Sequence, residues 1–278
     1  MTSNDAAAAD AVTARGRYEL PPQAGQVMSV YTLQMRLYAK SWTPYLLILL
    51  AALIPISMFI LDILSDGPVS DILDPEIVFV LLPYMIALIP AVFAGRVLSS
   101  EFKNRTAYLT FPLPVTRTVF FIGKLMAAMT LSLSIMLLGF GLGIVMSDVY
   151  GIALPDDTAM ALMLSLFGIF AITAMAYALS AVFKRGSVAA TIAIVIVLPL
   201  VLEFILLIVY LVTNISEETL DGILDILHIM PVSVGNVALG MIAGNGSPFA
   251  PAAYMIAATA WGIAFILLGW FLMNRKEL

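Results

Sequence analysis

Arg96-Val97-Leu98-Ser99-Ser100-Glu101-Phe102-Lys103-Asn104-Arg105-Thr106 continues as Ala107-Tyr108-Leu109-Thr110-Phe111-Pro112-Leu113-Pro114-Val115-Thr116-Arg117 and re-enters an apolar run through Gly123-Lys124. This polar, proline-bearing segment is lodged between two hydrophobic runs, each long enough to span a bilayer, and it holds five of the chain's thirteen Lys and Arg residues. Lys and Arg near the ends of membrane helices resist translocation and fix orientation, so a short loop this basic marks the cytoplasmic side. An acid, several bases and a Pro-x-Pro turn in such a loop suit docking against a soluble partner better than lining a substrate path.

Composition places the rest of the chain in the same setting. It is 62% hydrophobic and 11% charged, with a mean hydropathy of +1.05, whereas soluble domains run about 45–50% apolar and about 25% charged. The absence of Cys excludes a disulfide, a thiolate metal site and a Cys nucleophile, and the single His, His228, argues against a His-based metal cluster. No metal site and no catalytic centre are expected, and nothing points to nucleic acid.

Six segments meet the requirement of about 20 predominantly apolar residues for a spanning helix: 43–64, 77–97, 119–145, 158–182, 187–213 and 251–273. An even number puts both termini on one side, and charge chooses the side. Arg15, Arg17, Arg36 and Lys40, the five bases of the opening stretch, Lys184 and Arg185, and Arg275 and Lys276 all fall on one face, which the positive-inside rule makes cytoplasmic. The opposite loops are acidic, with Asp62, Asp66, Asp71, Asp74 and Glu76 in the first, Asp148, Asp156 and Asp157 in the second, and Glu217, Glu218, Asp221 and Asp225 in the third. The fold class expected is therefore an all-α integral membrane protein with six transmembrane helices and both termini cytoplasmic.

Residues 1–25 lack the continuous apolar core of a cleavable signal peptide and read as a disordered cytoplasmic tail; residues 26–278 read as one six-helix domain. From 26 to 42, apolar Val27, Val30, Leu33, Leu37 and Tyr38 recur at roughly helical spacing with Arg36 and Lys40 between them. That pattern is too polar to span and predicts an amphipathic helix at the inner surface; the alternative is an extension of the first span. Gly139 with Gly143, and Ala174 with Ala178, form small-xxx-small pairs that let helix backbones approach closely, within the chain or, as the sharper reading, at a dimer seam. The tight turn at 183–186 makes the fourth and fifth spans antiparallel neighbours.

Glu203 is the one acid inside a span away from its ends, and a charge near the membrane centre costs about 2.5–3.5 kcal/mol on insertion scales. It stands as the candidate intramembrane polar site, facing a cavity, a partner or the outer interface. Between spans five and six, Leu220, Ile223, Leu224 and Leu227 make the apolar stripe of a short outer helix, and Val237 to Ala243 suits a re-entrant element. Asn214-Ile215-Ser216 is a formal glycosylation acceptor. The sixteen Met residues form no Met-x-Met cluster and read as packing.

The opening segment resembles the ABC-2-type permeases, the membrane subunits of one class of ATP-driven transporters. Their pattern is a Glu closing the second membrane helix, a Thr five residues on, then Pro-Val-Ser/Thr-Arg and a Gly/Ser-Lys at the start of the third helix. Here Glu101, Thr106, Pro114, Val115, Thr116, Arg117, Gly123 and Lys124 fall in that register without a gap. The chain departs from it at Arg105, where the family often has Gly, and at Pro112, where it often has a small polar residue. The resemblance covers nearly everything after about residue 27.

It implies a non-catalytic permease subunit in the plasma membrane that forms a translocation path with a second permease, identical or related, for efflux. No Gly-x4-Gly-Lys-Ser/Thr loop occurs in the chain, so ATP and Mg would be held by a separate ATP-binding cassette ATPase and no cofactor by this chain. Glu101, Arg105, Thr106, Pro114 and Arg117 would form the surface coupled to that ATPase. The competing reading is a stand-alone secondary transporter or channel using Glu203; such proteins usually carry several intramembrane ionisable groups.

Overall fold

The structure, a computed structural model, describes residues 22–64, 78–103, 116–183, 185–197, 230–231, 233–244 and 249–275. Among them are eight helices and no strand: α1 Gln23–Lys40, α2 Thr43–Leu64, α3 Leu82–Lys103, α4 Arg117–Val149, α5 Thr158–Val182, α6 Gly186–Val197, α7 Val234–Ile242 and α8 Pro251–Arg275. A helix therefore lies on each of the six predicted spans. Three of them, α4, α5 and α8, are long and apolar enough to cross a membrane by themselves, while α2, α3 and α6 carry the shorter apolar stretches Thr43–Leu53, Leu82–Leu98 and Gly186–Ile196. Residues 198–213 of the fifth predicted span, Glu203 among them, lie outside the described residues, as does the stripe at 220–227.

Local signals set the ends of the longest helix. Thr116 is the N-cap of α4, its Oγ1 accepting from the Val119 amide at 3.3 Å. At the other end Gly151 adopts φ +66°, and the Gly151 and Ile152 amides donate back to the Asp148 and Ser147 carbonyls, a Schellman stop that a side chain with a Cβ strains. At about 1.5 Å per residue, the 33 residues of α4 reach about 50 Å, more than the hydrocarbon core of about 30 Å.

Packing is organised around α5. Its most apolar stretch is 61% buried, against 28% for α4 and 17% for α8, and it touches α3, α4, α6, α7 and α8. Two main cores are stacked along it. One gathers Phe79, Ile86, Phe140, Ile169, Met241 and Tyr254; the other gathers Leu98, Phe120, Phe121, Tyr177, Ala193 and Met273. A smaller core of Leu47, Met85, Ile89, Phe93 and Ile135 joins α2 to α3 and α4. The outer surface keeps large apolar side chains exposed, such as Leu46, Leu49 and Leu53 on α2 and Ile256, Ile263 and Leu267 on α8. Such a continuous apolar exterior is stable against lipid and not against water.

The small-residue pairs serve packing within the chain. A Cβ on Gly139 would come 2.8 Å from Met85 Cε, and one on Gly143 would strike the Phe79 ring. A Cβ on Gly269 of α8 would lie 3.2 Å from Ala178 Cα. The predicted element at 237–243 is α7, which is buried against α5 and α3.

Candidate functional site

The site singled out by sequence lies where α1, α3, α4 and α8 meet, at the end of the bundle that carries Arg96, Arg117, Lys124 and Arg275. We call it the basic end. The predicted amphipathic helix is α1, and it seats on α4 at Gly123: a Cβ there would lie 2.8 Å from Val30 Cβ and 2.9 Å from the Val27 carbonyl. Glycine at the head of the third span thus has a steric reason, since nearly any side chain would push α1 away. The next residue, Lys124, is only 4% exposed, and its ammonium stands 4.4 Å from the centre of the Phe120 ring, a cation–π contact that offsets part of its desolvation.

The face that α1 turns to the bundle differs from the predicted stripe. Val27, Val30 and Tyr38 are partly buried and Gln34 fully so, whereas Leu33 and Leu37 are exposed together with Met28. The apolar residues of α1 are thus divided between a face packed on the bundle and an exposed face. The buried polar group is satisfied: the Gln34 side chain hydrogen-bonds Tyr38, whose hydroxyl donates to the Phe93 carbonyl of α3 at 3.3 Å. The rings of Tyr38 and Phe93 meet edge to face, 5.3 Å between centres. Burial pushes the Tyr38 phenol well above its ordinary pKa, so it remains a neutral donor.

α3 runs on through Glu101 to Lys103. Glu101 is helical, and the residues that follow Lys103 lie outside the described ones. Arg117 is a base in the first turn of α4, where the dipole disfavours it, and here the geometry supplies the compensation. Its Nη1 donates to the Asn274 carbonyl at 3.3 Å, so the cation sits at the C-terminal end of α8, where the dipole favours it. Beside it the Trp270 indole donates to Thr118 Oγ1 at 3.3 Å, and Arg275 lies over the Phe271 ring at 4.4 Å. One layer deeper, the Tyr177 hydroxyl donates to the Phe121 carbonyl at 2.8 Å, and the two rings pack edge to face.

Of the residues singled out in the sequence, Arg117, Gly123 and Lys124 converge at this end, and Glu101 lies on the helix beside it. Arg105, Thr106, Pro114 and Glu203 lie outside the described residues. Sequence reasoning missed Trp270, Asn274 and Tyr177. A tyrosine buried in an otherwise apolar span was a usable signal, because its hydroxyl must find a partner. The role of Asn274, exerted through its backbone carbonyl, left no trace in residue type.

Among the described residues no three His, Asp or Glu side chains come together as a metal cradle. The cluster ties the start of α4 to the end of α8 and to α1. No curated protein matches the sequence. The family model for ABC-2 family transporter proteins matches residues 13–278, essentially the whole chain including every element of the basic end, and the chain belongs to that family.

Proposed function

We propose that this chain is the permease half of an ATP-driven exporter in the plasma membrane, crossing six times with both termini cytoplasmic, pairing with a second permease, and driven through its basic end by a separate ATPase. Family membership makes it a membrane subunit of an ABC transporter whose ATPase is a separate subunit. The observation that carries the coupling assignment is the convergence at the basic end. The helix that carries Glu101, the helix opened by Thr116 and Arg117, and α1 are bound to one another there, so a push on the segment between α3 and α4 is delivered to three helices at once. That segment runs from 104 to 115 and holds Arg105, Thr106 and Pro114. The one-sided distribution of all thirteen bases supports placing this end in the cytoplasm.

Co-expression with an ATP-binding cassette ATPase and affinity purification through this chain tests the assignment. The expected result is a stable complex whose ATPase rate drops when Glu101→Ala is introduced, with insertion and expression unchanged. Wild-type assembly, ATPase rate and transport in that variant would show that the acid only marks the headgroup boundary, where exposed pairs contribute about 0–1 kcal/mol. Orientation is read separately on the Cys-free background: Arg185→Cys should resist an impermeant thiol reagent applied outside intact cells.

A further inference from the structure

The basic end carries a cavity, open to the surface, that the coupling role does not use. It has a volume of about 220 Å³ and lies between α1, the first turn of α2, and α3. A single water needs only about 10–15 Å³, so the space takes a group of many atoms. Its polar lining is Gln34, Tyr38, Ser41, Thr43 and Arg96, and Leu37 and Phe93 contribute to its apolar wall.

Three features define the occupant. The sign of charge is set by Arg96, the one charged side chain among the described lining residues, and the start of α2 brings the positive end of a helix dipole to the same place. The lining is half apolar, which suits an amphipathic ligand better than a hydrated ion. The location is interfacial: Trp42, beside the cavity at the junction of α1 and α2, is 77% exposed, as tryptophans at the headgroup level are, and Leu33 and Leu37 of α1 also face outward.

We propose that this cavity binds the phosphate headgroup of an anionic phospholipid from the inner leaflet. Arg96 pairs with the phosphodiester, the Gln34, Ser41 and Thr43 side chains contact its oxygens and the glycerol, and the first acyl carbons leave along Leu37 and Phe93. Basic pockets between membrane helices on the cytoplasmic side hold anionic headgroups in this way. The lipid then acts as a wedge between the interfacial helix and α3. The proposal rests on the basic end lying in the inner leaflet and is independent of whether an ATPase docks there.

Native mass spectrometry of the detergent-purified chain, offered phosphatidylglycerol or phosphatidylcholine, tests it without any ATPase. Wild type should retain phosphatidylglycerol about fivefold more than phosphatidylcholine, the scale of one basic side chain at a membrane surface. Arg96→Gln should abolish that preference, and Arg96→Lys should keep most of it. Arg36→Gln, on the exposed side of α1 outside the cavity, should leave it intact. Undiminished preference in Arg96→Gln overturns the site, and so does an equal loss in Arg36→Gln, which would mean diffuse surface charge. Displacement of the phosphatidylglycerol by millimolar inorganic phosphate would assign the cavity to free phosphate and overturn the lipid reading.

Discussion

The two ends of the bundle both use close packing on glycine, as at Gly123 and Gly143, and differ in the directional contacts added to it. At the basic end helices are tied by directional contacts between a polar or cationic side chain on one and a backbone carbonyl, hydroxyl or ring on another: Tyr38 to Phe93, Tyr177 to Phe121, Arg117 to Asn274, Trp270 to Thr118. At the opposite end apolar side chains lodge on glycines. Val234 meets Gly168, Phe79 meets Gly143, and the Pro83 backbone meets Gly235. In lipid there is no hydrophobic drive between helices, so association depends on close packing and on hydrogen bonds. Close packing fixes a separation but tolerates some rotation, while a hydrogen bond to a carbonyl fixes the azimuth as well. The end proposed to receive force is therefore the one whose helices are locked in register. The cores divide on α3 between Ala87 and Ala91, at Pro90, whose missing amide leaves the Ile86 carbonyl without its intrahelical donor.

The largest effects should come from the steric end. A Cβ on Gly235 would lie 2.7 Å from Pro83 Cα, and backbone cannot step aside as a side-chain tip does. Gly235→Val is expected to cost about 3 kcal/mol, the upper part of the range for overpacking, and to appear as loss of the monodisperse peak in detergent size-exclusion chromatography. Gly240, five residues along the same helix, has nothing within 4 Å of an added Cβ, so Gly240→Ala should be neutral or gain up to about 1 kcal/mol from helix propensity. Equal behaviour of the two variants would show that the close approach of Pro83 to Gly235 does not fix how α7 packs.

The contrast between the ends was only half legible in the sequence. Hydropathy places a helix on each of the six apolar segments, three of them long and apolar enough to cross a membrane, because a run of apolar residues is a local property. The register of Glu101, Arg117, Gly123 and Lys124 marked the basic end for the same reason. Thr116 before an apolar run was a readable N-cap that went unread. What stayed hidden is which face of a helix meets which neighbour. The stripe of Val27, Val30, Leu33, Leu37 and Tyr38 specifies a helix, yet in a membrane both lipid and protein accept leucine, so polarity does not say where Leu33 and Leu37 point. Gln34 is buried because its amide has Tyr38 to bond, a pairing one helical turn apart that an apolar pattern overlooks.

An intermediate effect is expected from the hydrogen-bonded end. Tyr177→Phe removes the bond to the Phe121 carbonyl at 2.8 Å while leaving the ring pair in place. The loss should be about 0.6–1 kcal/mol, because the carbonyl keeps its own intrahelical donor and interhelical bonds in membranes average near the lower figure. Tyr38→Phe, which breaks a longer bond of 3.3 Å to Phe93, should cost less. Thermal unfolding of the two variants in one detergent sharpens the comparison; a larger loss at Tyr38 would move the main fastening of this end from α5 to α1.

The smallest change in stability belongs to Arg117, and it separates fastening from coupling. Its bond to the Asn274 carbonyl is solvent-exposed, so the favourable interaction with the α8 terminus is weakened by screening, and its position in the first turn of α4 is itself unfavourable to that helix. The two terms oppose each other, and Arg117→Ala should shift unfolding by less than about 1 kcal/mol. If the basic end transmits force, however, the same substitution removes one of the ties between α8 and α4, leaving Trp270 to Thr118, at the point where the push arrives. The expected outcome is a complex that assembles with its ATPase at wild-type yield but shows a lower substrate-stimulated ATPase rate. Arg117→Lys, which restores the charge without the guanidinium fork, should recover the stability and only part of the rate. Full ATPase stimulation in Arg117→Ala would leave this residue as a surface latch and shift the coupling to α1 and the end of α3.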